Sequence, residues 1–361
     1  MRVLYWILGL GFGVGLMSCD TKTEPDLGNW STVVVEPVDD ATFLFDGSIL
    51  RTYELRVSDE NLAFLNDDPV AEAYVSATLD FEGETFTDVG LRYKGSVGAF
   101  VGCTEQNGFP PQETKTCVKL SMKVKMDFTE DGGNFFGLRK LQFHSMNSDQ
   151  SLMRERLGYA LFREMGVTSP RTAPVRLVIN GEFAGLFLLV EQIDRSFTRA
   201  RFGDGGEGNI YKEIWPVHNQ QELYATALRN KGGVDRSVER IQRFAQNLLD
   251  ASENELSTLS ERWIHHETIM RYLAVDRTIG NDDGIMHWYC GIPEAQGANA
   301  SACGNHNFYW YEESKQDHLW LIPWDLDLIL GGNTFTLLPA PWYSETNSCE
   351  EVVSSFSSRL A

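Results

Sequence analysis

Three short segments carry residues whose types suit metal and phosphoryl chemistry. They are Gly280-Asn281-Asp282-Asp283-Gly284, His306-Asn307-Phe308-Tyr309-Trp310-Tyr311 and Ile322-Pro323-Trp324-Asp325-Leu326-Asp327. Each sets a short carboxylate or carboxamide beside apolar, strand-forming residues. Hard divalent cations take oxygen ligands held on rigid elements. Phosphoryl transfer needs one oxygen set for the metal and a separate carboxylate for the attacking hydroxyl. Taken singly, Asp and Asn at strand ends are turn and cap residues. Three such segments within fifty residues point instead to one site.

The elements that must position them are legible in outline. From Thr42 to Leu120 the pattern is strands and turns, with alternation at Leu50–Val57, Ala73–Phe81 and Asp88–Gly95. Cys117 to Met126 also alternates, which puts Lys119, Ser121, Lys123 and Lys125 on one face and Leu120, Met122, Val124 and Met126 on the other. Asn147-Ser148-Asp149 then cap a helix whose apolar residues run from Leu152 to Met165, and Gly166 ends it. Asn180-Gly181 between Val175–Ile179 and Phe183–Val190 predicts a hairpin. A Gly-rich loop follows at Gly203–Gly208. Amphipathic helices are expected over Ser237–Leu249 and Ile264–Ile279, and strands over Phe308–Tyr311 and Leu319–Ile322. Strands with one helix thus precede a helix-rich second half.

Composition narrows the partners. The formal charge is −20, from 51 acidic and 31 basic residues among 361. A nucleic acid or an anionic membrane surface is repelled by that balance, so no nucleic-acid partner is expected. Arg2 and the uncharged apolar run Val3–Met17 read as an export signal, too short and Gly-rich for a spanning helix. Leu16-Met17-Ser18-Cys19 resembles a bacterial lipobox, so Cys19 is the expected lipidation site and the lipid is the expected contact with the membrane. That places the chain on the bacterial cell envelope, periplasm-facing or at the surface. An oxidising compartment permits disulfides, and Cys103–Cys117 and Cys290–Cys303 would each close a short polar loop. Cys349 is left over, and the chain is expected to continue past Ala361. No CxxC pair is present, and the seven histidines show no zinc spacing. No GxSxG elbow is present either.

The ordered set of motifs resembles the CotH kinases, a family named for a bacterial spore-coat protein kinase and related to atypical protein kinases. The resemblance runs from about Phe43–Asp46 to about Gly332. It rests on Val89-Gly90-Leu91-Arg92-Tyr93-Lys94-Gly95, Ser121–Asp127, Met153-Arg154-Glu155, Ile179–Phe187, Glu191-Gln192-Ile193-Asp194 and Asn209-Ile210-Tyr211-Lys212, together with the three segments above. It implies an α+β, atypical protein-kinase-like, two-lobed fold with a β-rich N-lobe and a helix-rich C-lobe. The expected division is 1–19 signal peptide, 20–36 tether, 37–190 N-lobe and 191–361 C-lobe. It implies transfer of the γ-phosphoryl of ATP to Ser or Thr of a protein substrate, with Mg²⁺ or Mn²⁺.

On that resemblance Asp325 and Asn307 are metal ligands, and Asp327 is a second carboxylate if the stretch stays extended. Asp283 is the expected base. Asp282 competes, because the family motif usually has an aromatic between its Asn and Asp. Lys123 would contact the phosphates from its strand, and Glu155 would pair with it from the helix. Lys94, in its Gly-containing loop, could also lie over the phosphates, and Glu191 falls where an adenine-binding hinge would begin. Two other readings use the same residues. One is a catalytically inactive, kinase-like binding lipoprotein. The other is a metal-dependent hydrolase, or an enzyme that transfers AMP from the same site.

Overall fold

A computed structural model describes residues 39–95, 97–100, 103–104, 114–130, 132–216, 219–230, 237–281, 283–286, 289–290, 303–315 and 318–331. The export signal, the tether, Cys19, Cys349 and Asp282 lie outside these residues. Seven strands close into a barrel in the order β1-β2-β3-β4-β5-β7-β6. They are β1 (Arg51–Arg56), β2 (Val75–Phe81), β3 (Glu84–Tyr93), β4 (Met122–Lys125), β5 (Lys140–His144), β6 (Thr172–Ile179) and β7 (Glu182–Val190). Neighbours are antiparallel except at the seam, where β1 runs parallel to β6 with Arg51 opposite Val175. A closed sheet has no edge to leave unpaired.

The barrel strands alternate as their pleat demands. Tyr53 and Leu55 of β1, Val89 and Leu91 of β3, and Met122 and Val124 of β4 are buried in its core with Phe81, Phe135 and Phe143. Strand β7 faces two ways. Phe187 and Leu189 enter the barrel core, while Leu188 and Val190 enter a second core. The expected hairpin joins β6 to β7, with Asn180 at φ 51° and Gly181 at φ 82°. Both central residues of such a turn need the left-handed region, which Asn-Gly tolerates. The Asn180 carboxamide also bonds Val57 through both its atoms, at 2.8 Å each, and so fastens the seam.

Strand β4 is shorter than its alternation predicts. Cys117 is bonded to Cys103 in a disulfide, and the preceding residues serve loop contacts instead of the ladder. The Lys119 ammonium reaches the Leu186 carbonyl at 2.8 Å, and Ser121 O accepts from Lys94 N–H at 2.9 Å.

Helices in chain order are α1 (Asp59–Asp67), α2 (Val97–Phe100), α3 (Arg154–Glu164), α4 (Arg195–Arg201), α5 (Gln221–Ala227), α6 (Glu239–Asp250), α7 (Leu256–Trp263) and α8 (His266–Thr278). The start of α3 is fixed by Asp149, whose Oδ2 accepts from the N–H groups of Met153 at 2.7 Å and Arg154 at 2.8 Å. That satisfies donors a helix start leaves orphaned. A three-stranded antiparallel sheet, β8 (Asn209–Lys212), β11 (Phe308–Glu312) and β12 (Leu319–Pro323), has β11 at its centre. Its Tyr211, Phe308, Trp310 and Ile322 join Tyr159 and Phe162 of α3, Phe244 of α6 and Tyr272 of α8 in the second core. Two-residue strands β9 (Tyr289–Cys290) and β10 (Cys303–Gly304) pair antiparallel with Cys303 opposite Cys290. The side chains of that expected disulfide lie outside the described residues. The architecture is thus α+β, a closed β-barrel joined to a helix-rich unit built round a small sheet, and no helix among the described residues is long and apolar enough to cross a membrane.

Candidate active site

The three acidic segments meet where β11 starts and β12 ends. Phe308 pairs with Pro323, and Trp324 N–H donates to Asn307 O at 3.0 Å. That bond sets Asn307 and Asp325 side by side. Asn307 donates from Nδ2 to the Asp283 carboxylate at 2.8 Å and to the Asp283 carbonyl at 2.9 Å. The long connection between Asp283 and Asn307 therefore brings its two ends back together, helped by Asn305 Nδ2 on Ile285 O at 2.9 Å. Asp283 sits in a turn built on Asn281, whose Nδ2 donates to Asp276 of α8 at 2.8 Å.

Asn307 and Asp325 hold left-handed backbone, at φ 62° and φ 54°. Asx residues tolerate this region better than most, yet it still costs energy that surrounding contacts must offset. For Asp325 the contact is Tyr159 of α3, whose hydroxyl accepts from Asp325 N–H at 3.0 Å. The turn after β12 then lies directly on α3. A Cβ at Gly158 would come within 2.5 Å of Ile329 and 2.9 Å of Leu326. A larger residue there would meet the side-chain tips of Ile329 and Leu326, which would have to shift.

Asp327 stays within the group. Its carboxyl is pushed up to about 8 by burial and by the charges of Asp325, Glu155 and Asp283. Carboxylates so arranged repel until a cation neutralises them. The oxygen donors Asp325, Asp327 and Asn307 suit a hard divalent ion such as Mg²⁺ or Mn²⁺.

The barrel supplies the opposite charge. Lys94 follows β3, and its Nζ stands 2.6 Å from Nε2 of His144, the last residue of β5. His144 Nδ1 in turn lies 2.8 and 2.9 Å from the two oxygens of Glu155 on α3. Burial pushes Lys94 below its ordinary value, against the attraction of Asp325 and Glu155. Burial, then Asp325, pushes Glu155 up to about 8. His144 falls well below its usual range, through burial and the neighbouring Lys94 charge. One ligand atom each from His144, Glu155 and Asp325 lie within 4.8 Å of one another.

Of the lysine row, Lys123 faces this cluster. Burial, followed by Lys94, Lys140 and Arg92, lowers it to about 7. Lys119 is spent on Leu186 O, and Lys125 lies 3.9 Å from Asp127. Lys94, and not the Lys123 of the sequence reading, is the lysine linked to Glu155, and the link runs through His144. Lys212, at the end of β8, closes the floor 3.2 Å from Glu213. Burial works against its charge, but Glu213, Tyr309 and Asp325 hold it above its usual value.

Glu191 is not brought into the cluster. Its buried carboxylate lies between Arg171 Nη2 at 2.8 Å and Arg201 Nη2 at 2.6 Å, and Arg171 also grips Asp39. That side chain anchors the end of β7. Sequence reasoning missed His144, Tyr159 and Lys212. The histidines were weighed only for metal spacing, while the role of His144 depends on a strand end, a loop and a helix meeting.

Comparison with known proteins agrees with this arrangement of motifs. The model of the family described as CotH kinase protein matches residues 91–353, well over half of the chain. The inner spore coat protein H of Bacillus subtilis (strain 168) is 22% identical over 199 residues, covering 55% of this chain and 51% of that protein. The chain thus spans about half the length of that curated relative. It belongs to the CotH kinase family.

Proposed function

From that membership we propose that the protein is an exported atypical kinase. It would transfer the γ-phosphoryl of ATP to a Ser or Thr hydroxyl of an envelope or surface protein, while Cys19 carries the lipid that anchors the chain. Family membership supports a phosphotransferase in general terms. One observation supports this particular site. Two partly buried, mutually repelling lysines stand on one wall, and Asp283, Asn307, Asp325 and Asp327 stand on the other. Cations of depressed pKa beside a convergent carboxylate set suit a polyphosphate that arrives with a divalent metal.

In this reading Asp325 and Asn307 hold the metal, with Asp327 as the further carboxylate. A Mg²⁺ or Mn²⁺ held there would supply positive charge against the negative charge of the phosphates. Lys94 and Lys123 lie against the phosphates, where an incoming anion relieves the repulsion between them. Asp283 orients the attacking hydroxyl and takes its proton late in the transfer. The Asn307 amide fixes the rotation of that carboxylate through its 2.8 Å bond. Asp282, beside it in sequence, is the competing base. Lys212 and Glu213 fix the floor on which Asn307 rests, since Asn307 N–H donates to Glu213 at 3.3 Å.

The test is the full-length chain in mild detergent, with ATP and Mg²⁺ or Mn²⁺, beside Asp325→Ala. Metal-dependent nucleotide binding by calorimetry, with a phosphate mass added to the wild type or to a Ser/Thr-bearing protein, supports the kinase. An added AMP mass keeps the site and changes the reaction. A folded chain that binds no nucleotide with either metal leaves a kinase-shaped binding protein.

A further inference from the structure

Lysine and carboxylate at this site do not touch. An imidazole stands between them, and its two ring nitrogens are both engaged, Nε2 with Lys94 Nζ at 2.6 Å and Nδ1 with Glu155 at 2.8 and 2.9 Å. An ammonium can only donate, so Nε2 must accept. The proton of a neutral ring then belongs on Nδ1, facing the Glu155 oxygens, and the ionised form of Glu155 accepts it. The Lys94 bond is charge-assisted, the stronger class of hydrogen bond, and the Glu155 bond joins that class once this carboxyl, pushed up to about 8, has lost its proton.

The ring has little freedom to turn away. His144 is locked in the barrel by register with Leu188 of β7. Its face meets Trp324 edge-on at 5.6 Å, and Trp324 meets Tyr309 in the same way at 5.6 Å. Lys94 Nζ lies 5.5 Å above the Trp324 ring. Trp324 directly precedes Asp325, so one indole positions both the imidazole and the acidic wall.

The same contacts decide what the His144, Glu155 and Asp325 cluster holds. A metal bound there would need the Nε2 or Nδ1 lone pair. One is taken by the ammonium and the other carries the proton. Lys94 is the cation of that cluster.

We propose that His144 is a positioning residue, a neutral Nδ1–H imidazole that joins Lys94 to Glu155 in a three-member relay and so aims the ammonium at the phosphates. The relay replaces a direct lysine–carboxylate ion pair. It transmits orientation across a gap the two side chains do not span, and no proton need move along it during transfer. Its catalytic consequence rests on the kinase reading, but its tautomer does not.

The first arm of the test is therefore independent of activity. Long-range proton–nitrogen NMR of the imidazoles, in wild type and Lys94→Met buffered above pH 8 where Glu155 is ionised, reads which nitrogen of His144 carries hydrogen. The relay requires hydrogen on Nδ1 alone in the wild type, with a shifted Nε2 signal in Lys94→Met. Hydrogen on Nε2, or on both nitrogens, overturns it. The second arm compares His144→Gln with His144→Leu. A Gln carboxamide offers an acceptor and a donor at similar separation and should hold the KM for ATP within about threefold. The Leu variant, assayed at a temperature where circular dichroism shows it folded, should raise that KM by roughly tenfold to a hundredfold, the worth of a charge-assisted bond, and leave the KM for the protein substrate in place. Equal losses in both variants would make His144 a mere packing residue and overturn the proposal. A wild-type chain that transfers nothing would sink the kinase reading, and the tautomer alone would then decide the relay.

Discussion

The two walls of the site solve opposite electrostatic problems. On the barrel wall Lys94, His144 and Glu155 are joined by hydrogen bonds, and burial with the neighbouring cations lowers Lys123 to about 7. On the sheet wall Asp327 faces Asp325, Glu155 and Asp283 and is raised to about 8. One wall is internally balanced and rigid. The other is held in place by backbone bonds and stays poor in positive charge. The difference indicates where binding energy can come from. On the proposed function a divalent ion would stabilise the acidic wall, and phosphate oxygens would relieve the basic one. Each component of a metal–nucleotide complex would thus answer a different wall.

The comparison can be broken most severely at Asp325. Asp325→Ala should lower transfer about a thousandfold, the scale for a lost group that stabilises developing charge, and should abolish metal-dependent nucleotide binding in calorimetry. The basic wall divides more gently. Lys94→Met should cost about a hundredfold in kcat/KM, and Lys123→Met about tenfold, as expected when only one lysine is tied to the relay. Steady-state kinetics on both variants check the ranking, and the reverse order would reassign the phosphate lysine to β4.

Stability against pH separates the raised carboxyls from the lowered lysine next. Asp327 and Glu155 are raised in the folded chain to about 8. The folded state then binds more protons than the unfolded one between the two values, so their contribution is fully present below about pH 4 and is lost as pH rises toward 8. Lys123 has the opposite sign. Lowered to about 7, it releases its proton more readily in the folded state, so stability rises with pH from about 7 toward the ordinary lysine value of 10.5. Thermal melts in chelator from pH 5 to pH 8 should fall, and Mg²⁺ should flatten the fall. Lys123→Met should remove the upturn at higher pH. A pH-independent melting temperature would contradict both assignments. The smallest expected effect is at Gly158→Ala, about 1–3 kcal/mol of stability as the new methyl meets Leu326 and Ile329. It should weaken metal affinity more than affinity for metal-free nucleotide, because the displaced segment carries Asp325 and Asp327.

Much of this was legible locally. The Asn180-Gly181 turn, the Asp149 cap of α3, the strand that ends shortly before Asp325 and the one that starts after Asn307, and the Cys103–Cys117 bond all follow from neighbouring residues. So does the grouping of Asp283, Asn307 and Asp325, since each stands at the end of an element that short-range pattern predicts. The unread parts are long-range. Nothing near Arg51 announces that β1 will pair in parallel with β6. Nothing near His144 announces a lysine from one loop and a glutamate from a later helix. The carboxylate of Glu191 looks available in sequence, and only the fold brings Arg171 and Arg201 onto it. Lys94 and Lys123 could not be ranked, because their distance from Glu155 depends on how far β4 extends.

The parallel seam also has a consequence for how the chain acquires its shape. Val57 and Asn180, which fasten that seam, lie 123 residues apart. The first strand of the barrel must therefore wait, unpaired on one side, until the hairpin far downstream has formed, and contacts of such high sequence separation form late and slowly. The disulfide between Cys103 and Cys117 falls inside the waiting stretch. By shortening the loop that must be closed, it should speed the last step of barrel assembly, so refolding of the reduced chain should be slowed more than its final stability is lowered.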